Sequence, residues 1–249
     1  MSVIQVCMKH PYLRKFVPET DWYSSKSLTR MLKKHRVVYL KPNKGLQGQG
    51  VIRIKRLSKN TYEMTSGARI SMLKKKALMK HVYREISSYP DYYLVQQGID
   101  LATYQKRPFD VRLLLIKHTG MWRLTMTCVR AAAYKNSPVT NVSYNIKLKP
   151  IEELQFPLTK VLRETDQPLN SITTLRELID LSYQVVKTLG RHFPVSILGL
   201  DFVLDKRGKI WFIEANTNPE VEALRQINKE KDYQRFVQAK RQITIIQPN

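Results

Sequence analysis

Acidic residues are scarce in this chain: 20 Asp and Glu stand against 43 Lys and Arg in 249 residues, a formal net charge of +23. Cysteine is scarcer still. Cys7 and Cys128 lie far apart and lack the paired spacing of a metal site, which excludes a disulfide scaffold and a zinc finger. The simplest reading is a reduced, cytoplasmic protein. Long apolar runs are missing too. Val111 to Ile116 is interrupted by Arg112, well short of the ~20 residues a membrane-spanning helix needs. The apolar start, Val3 to Met8, is brief and runs into His10, Arg14 and Lys15, so no signal peptide and no transmembrane segment are expected. There are no internal repeats, no Walker GxxxxGK[ST] motif, and no Ser-His-Asp or Cys-His constellation.

The excess positive charge is uneven along the sequence. Residues 1–150 hold 29 Lys and Arg against 7 Asp and Glu, whereas residues 151–249 hold 14 against 13. A basic front and a balanced back suggest an anionic partner for the front: nucleic acid, another anionic polymer or membrane surface, or nucleotide phosphates. No zinc finger or RNP-type aromatic run supports a dedicated nucleic-acid reader. A solvated basic surface with no dedicated partner accounts for the same numbers.

Apolar periodicity divides the chain into three. Residues 1–36 read as an irregular basic segment with Pro-Glu-Thr at 18–20 and a short helix over Lys26 to His35. Residues 37–98 read as a small α+β unit: strands VVYL, VIRIK, TYEM and YYLVQQ, a helix over Ile70 to Ser87, and a hinge at Gln97-Gly98. Residues 99–249 read as a larger α+β unit. Its strands are FDVRLLLIK, WRLTMTCVRA, ILGLDFVLD and KIWFIEAN. A helix spans Thr173 to Phe193, with Thr174 as cap and Glu177 as its capping-box partner, and a last helix follows Pro219.

Two stretches carry chemistry. In VVYLKPNKGLQGQGVIRI, Lys41 ends one strand and Gly45, Gly48 and Gly50 lie in the loop before the next. Glycines let backbone N–H groups approach phosphate oxygens, and a neighbouring lysine neutralises charge that the amides only solvate. A plain flexible turn is the competing account. In ILGLDFVLDKRGKIWFIEANTNP, two strands flank Asp205-Lys206-Arg207-Gly208 and form an antiparallel hairpin. A register with Leu204 facing Trp211 sets Asp201 opposite Glu214, with Asn216 on the same face. Directly opposed carboxylates repel unless a cation lies between them. Magnesium combines one or two carboxylates with phosphate oxygens, so Asp201, Glu214 and Asn216 are its candidate ligands. Ordinary surface acids on a solvated hairpin are the alternative.

Taken together and in order, PET (18–20), YLKPNKGLQGQGVIRI (39–54), YYLVQQGIDL (92–101), RPFDVRLLL (107–115), VTN (139–141) and LGLDFVLDKRGKIWFIEANTNPEV (198–221) resemble the ATP-grasp superfamily, and within it the YheC/YheD, endospore coat-associated branch. The resemblance implies an α+β ATP-grasp fold, with a small α+β lid and a larger antiparallel-sheet core with flanking helices, that clamps ATP. It implies Lys41 on the phosphates under the loop of Gly45, Gly48 and Gly50, and backbone groups of Gln96, Gln97 and Gly98 on the adenine. Asp201, Glu214 and Asn216 would hold one or two Mg²⁺ ions, Arg112 and Arg130 would stabilise the transferring phosphate, and Asn141 would complete the site. Typical relatives activate a carboxylate as an acyl phosphate that an amine attacks. Two departures stand out. Ser143-Tyr144-Asn145 replaces a common Gly-Gly pair, and residues 1–36 are too few for the separate α/β domain that relatives carry in front, a truncated N-terminal domain. A partner or second copy would then complete the site, or the ligase role is reduced to nucleotide binding. Spore association follows from the resemblance alone.

Overall fold

In the computed structural model, the structure describes residues 2–43, 50–67, 69–87, 93–135, 150, 153–219 and 221–246. It forms two units, Met1–Val17 with Leu101–Asn249, and Pro18–Asp100. These limits differ from those read in the sequence, because residues 1–36 are shared out between the units. The first helix, α1 (Val3–Lys9), is closed by a reciprocal cap in which Ser2 Oγ accepts from Gln5 N and Gln5 Oε1 accepts from Ser2 N. It buries Val6 and Cys7, and Leu13 and Val17 after it, in the core of the larger unit. Nothing local in the sequence announces these long-range contacts.

The smaller unit is built on a six-stranded antiparallel sheet. Its elements are β1 (Thr20–Trp22), α2 (Ser25–Lys34), β2 (Val37–Pro42), β3 (Ile52–Arg56), β4 (Thr61–Ser66), β5 (Arg69–Lys74), α3 (Lys75–Ile86) and β6 (Tyr93–Gln97), with strand order β1-β6-β2-β3-β4-β5. Alternation puts Val38, Leu40, Ile52, Ile54, Met64 and Val95 on one face, where Leu28 and Met31 of α2 and Leu78 and Val82 of α3 cover them. Each such side chain, fully buried, contributes about 1.5–3 kcal/mol. The helix expected from Ile70 begins only at Lys75. Gly67, at φ +57°, turns the chain after β4, and residues 69–74 pair with β4 as an edge strand. Ile70 and Met72 then point away from the core, 67% and 60% exposed. Ile70 and Leu73, three apart, also fit a helix, but in the strand they face opposite sides and only Leu73 packs on the core, an ambiguity that periodicity alone does not resolve.

The larger unit adds β7 (Thr103–Tyr104), β8 (Arg107–His118), β9 (Met121–Ala131), β10 (Gln155–Phe156), α4 (Leu158–Glu164), α5 (Ser171–His192), β11 (Ile197–Leu204), β12 (Ile210–Asn216), α6 (Glu222–Arg225) and α7 (Glu230–Ile246). Its sheet runs β10-β9-β8-β11-β12, with β7 paired to β8, and every pairing is antiparallel. One face, with Val111, Leu113, Val129, Leu200 and Phe202, packs on α1, α4 and α5. On the other, Leu114, Ile116, Met126 and Cys128 lie under Leu224 and Phe236 of the last helices. The long helix starts earlier than its apolar pattern implied. Asn170 is the cap, its Oδ1 accepting from Thr173 N at 3.0 Å, and Thr174 is a buried interior residue.

Candidate functional site: a carboxylate and arginine cluster on the larger sheet

The hairpin β11–β12 sets Asp201 opposite Glu214, through a register other than the uniform one. Leu204 faces Ile210, Val203 faces Trp211, and Phe202 faces Phe212. A bulge between Asp201 and Phe202 takes up one extra residue, Ile213, and shifts the partner of Asp201 back to Glu214. The same bulge lets Phe212 and Ala215, three apart, both pack on the core while Glu214 and Asn216 face the opposite side. The turn is held by Asp205, which is buried and not solvated. Its carboxylate accepts from Arg207 N, Lys209 N and Trp211 Nε1 at 2.9, 3.1 and 3.1 Å.

Register brings two arginines to this face. Arg112 lies opposite Asp201 on the neighbouring β8, and Arg130 of β9 lies opposite Asp110. The Arg112 guanidinium grips Asp201 in a fork, Nε to Oδ1 and Nη2 to Oδ2, both 2.7 Å. Arg130 donates from Nε to Asp110 Oδ1 at 2.6 Å and reaches diagonally to Asp201 Oδ2 with Nη2 at 2.9 Å. Asp110 therefore pairs with Arg130, although it shares a strand face with Arg112. Burial alone would push the Asp201 carboxyl up, but Arg130 and Arg112, with a hydrogen bond from Glu214, hold it far below the usual carboxylate range. Burial disfavours the charge on Arg130, yet Asp110 and Asp201 keep that guanidinium firmly protonated. The cation that two opposed carboxylates require is thus present within the fold itself.

Two members of this group carry little sequence signal. Asp110 is one acid among apolar strand residues, and only strand pairing gives it Arg130. Gln155 lies opposite Arg130 on β10, and among the described residues its buried Oε1 has no hydrogen-bond partner. A buried acceptor without a donor costs about 1–3 kcal/mol.

The smaller unit carries the other expected residues. Lys41 Nζ donates to Gln96 Oε1 at 2.7 Å, and Gln96 Nε2 donates to Thr20 Oγ1 at 3.0 Å. Thr20 belongs to the Pro-Glu-Thr stretch, and the relay fixes Lys41 on the face of the sheet turned away from α2 and α3. The Gln97 and Gly98 amides donate to the Glu19 and Val37 carbonyls at 2.8 and 2.9 Å. β6 is a central strand, so its backbone is engaged on both edges. Gly50 adopts φ +72°, and a Cβ there would come within 2.8 Å of Tyr93 Oη, which donates to the Gly50 carbonyl. Gly45, Gly48 and Asn141 lie outside the described residues. Beside this relay, Lys34, His35 and Arg30 all bond to the Glu19 carboxylate, and against the upward pull of burial they hold its pKa at about 2.

A small α+β unit bearing a strand-end lysine, joined to a larger antiparallel sheet bearing an Asp–Glu–Asn hairpin beside two arginines, is the architecture of an ATP-grasp protein. The chain belongs to the YheC/D-like ATP-grasp family, whose model matches residues 1–242. It is 26% identical over 227 residues to the endospore coat-associated protein YheD of Bacillus subtilis (strain 168), a match covering 88% of this chain and 47% of the relative. With the endospore coat-associated protein YheC of the same organism it shares 24% identity over 241 residues, covering 94% of this chain and 63% of the relative. The chain thus spans about half to three-fifths of the length of these curated relatives. Among the described residues, no helix is long and apolar enough to cross a membrane.

Proposed function

We propose that this chain binds magnesium and ATP and joins a carboxylate to an amine. The observation that carries the reading is the single sheet face shared by Asp201, Glu214, Asn216, Arg112 and Arg130. An ionised carboxylate offers about four acceptor positions, and the arginines take three on Asp201, two of them on Oδ2. Glu214 is hydrogen-bonded to Asp201, so the two carboxyl groups are within reach of one ion, which would displace the proton they share. Asn216 turns its Nδ2 toward Glu214 Oε1 at 3.3 Å, leaving its carbonyl oxygen available. Among the described residues no cage of three His, Cys, Asp or Glu side chains occurs. Two carboxylates and an amide oxygen suit a hard cation that takes its remaining ligands from phosphate and water, as magnesium does.

Bound magnesium would neutralise phosphate charge. Arg112 and Arg130 would orient the transferring group, and Lys41 would hold the remaining phosphates. The acceptor carboxylate oxygen attacks the γ-phosphorus and ADP departs. The amine nitrogen then attacks the acyl carbon, releases phosphate and loses a proton. Such a reaction needs positioning and charge neutralisation but no protein nucleophile. A second reading, nucleotide binding without turnover, is favoured by the arginines already seated on Asp201. Under either reading we extend spore association to this chain from the names of its relatives.

The test is a thermal-shift titration with ATP, with and without magnesium, on wild type and Glu214→Ala. Ligand bound only by the folded state raises the melting temperature by mass action. A shift that requires both magnesium and Glu214 is expected; a shift untouched by the substitution would remove the metal assignment. ADP release that appears only with an added carboxylate and amine separates the ligase from the binder.

A further inference from the structure

A second charged concavity lies in the smaller unit. β4 and β5 form one wall, where Ser66 faces Arg69 and Met64 faces Ser71 across the ladder. The other wall is one face of α3, carrying His81, Arg84 and Glu85 at helical spacing. Together they line about 440 Å³. The floor, Met64, belongs to the core that α3 covers, so this pocket opens on the helix side of the sheet. Lys41 projects from the opposite side, so the two sites do not overlap.

The lining chemistry is specific. Among the described residues neither the Arg69 nor the Arg84 guanidinium has an ion-pair or hydrogen-bond partner, in a unit where most acids are engaged. His81 uses Nδ1 on the Ala77 carbonyl at 2.9 Å, which leaves Nε2 as its remaining polar atom. Ser66 Oγ donates to Glu85 Oε2 at 3.1 Å, so the one acid present is partly occupied. Residues 18–100 carry 17 Lys and Arg against 6 Asp and Glu, and a field of that sign raises the local concentration of anions. The volume falls within the range of small-molecule sites, but the wall is polar, not apolar, and it offers planar donor forks suited to a multi-oxygen anion.

We infer that this pocket binds the phosphate or pyrophosphate group of a small molecule, independently of the nucleotide site. The test is calorimetric titration of the full chain with inorganic pyrophosphate in the absence of magnesium, against chloride at matched ionic strength. Wild type is expected to bind saturably. Read in a Lys41→Ala background, where the nucleotide site competes less for the anion, Arg69→Gln/Arg84→Gln should weaken binding at least tenfold and Glu85→Gln should tighten it several-fold. Phosphate tested in parallel distinguishes a monophosphate site from a diphosphate site by which anion binds more tightly. Heat that chloride reproduces, or binding in the Lys41→Ala background that the double variant leaves intact, would overturn the inference. Loss of magnesium-dependent ATP binding in Glu214→Ala would bear only on the other site.

Discussion

Arg130→Met is the most informative single change in the larger unit. It removes a guanidinium whose side chain is 9% exposed and which bonds Asp110 and Asp201, themselves 7% and 5% exposed. Asp201 keeps its fork from Arg112, but Asp110 loses its 2.6 Å partner. Removing one member of a buried pair costs about 3–5 kcal/mol, because the remaining charge stays out of water. For a unit of this size each kcal/mol corresponds to about 2–4 °C, so the melting temperature should fall by about 6–20 °C. Of the three tryptophans, Trp122 and Trp211 lie in the larger unit and Trp22 in the smaller. In a Trp22→Phe background, fluorescence therefore reports the larger unit alone. The double variant Asp110→Leu/Arg130→Met replaces the pair by apolar groups and should recover at least half of the loss. A single-variant cost below about 1 kcal/mol, the range of exposed pairs, would refute the account of a dry cluster.

Three further outcomes follow from the smaller unit. Glu19, held at about 2 by Lys34, His35 and Arg30 despite burial, has a lowered folded-state pKa; its contribution is complete above the ordinary glutamate value and fades as pH falls from there toward 2. Urea unfolding should therefore show Glu19→Gln less stable than wild type at neutral pH, with the gap closing in acid; a gap independent of pH would disprove the ionic role. Gly98→Ala puts a Cβ 2.6 and 2.7 Å from Val37 Cγ1 and Cβ, and overpacking of this kind costs about 1–3 kcal/mol; Val37→Ala in the same chain should restore part of it, as denaturant midpoints would reveal. Gln96→Leu strips Lys41 and Thr20 of one hydrogen bond each and should cost about 1–3 kcal/mol in the same assay.

The strands and most helices were legible because their period and punctuation agree. Alternating apolar residues set VVYL, VIRIK and TYEM, and the Asp205–Gly208 turn fixed a hairpin whose strands were located to within a residue or two. Asp201 opposite Glu214 was also foreseen, but by a uniform register. The bulge at Ile213 has no distinctive residue type, and only the packing of both Phe212 and Ala215 on the core requires it. The segment Ile70 to Lys74 reads as helix because Ile70 and Leu73 are three apart, whereas in the edge strand they lie on opposite faces. The placement of α1 and β1 in different units was not legible at all, since each depends on a partner some 75 or more residues away.

The charge pattern shows how far order along the chain differs from order in the fold. Read in sequence, nearly all the positive excess sits in the first 150 residues. Grouped by folded unit, residues 18–100 hold 17 Lys and Arg against 6 Asp and Glu, and the remaining residues hold 26 against 14. Both units are therefore net basic to a similar extent, the smaller more densely. The argument that opposed carboxylates imply a bound cation changes in the same way. It calls for a cation at Asp201 and Glu214, and in the fold Arg112 and Arg130, which arrive from two other strands, already bring positive charge to Asp201. A metal at Glu214 and Asn216 would thus join an existing ionic network, not fill a negative hole. Its affinity should rise when phosphate oxygens draw the two guanidiniums away from Asp201, and equilibrium dialysis of magnesium should find weak binding to the chain alone.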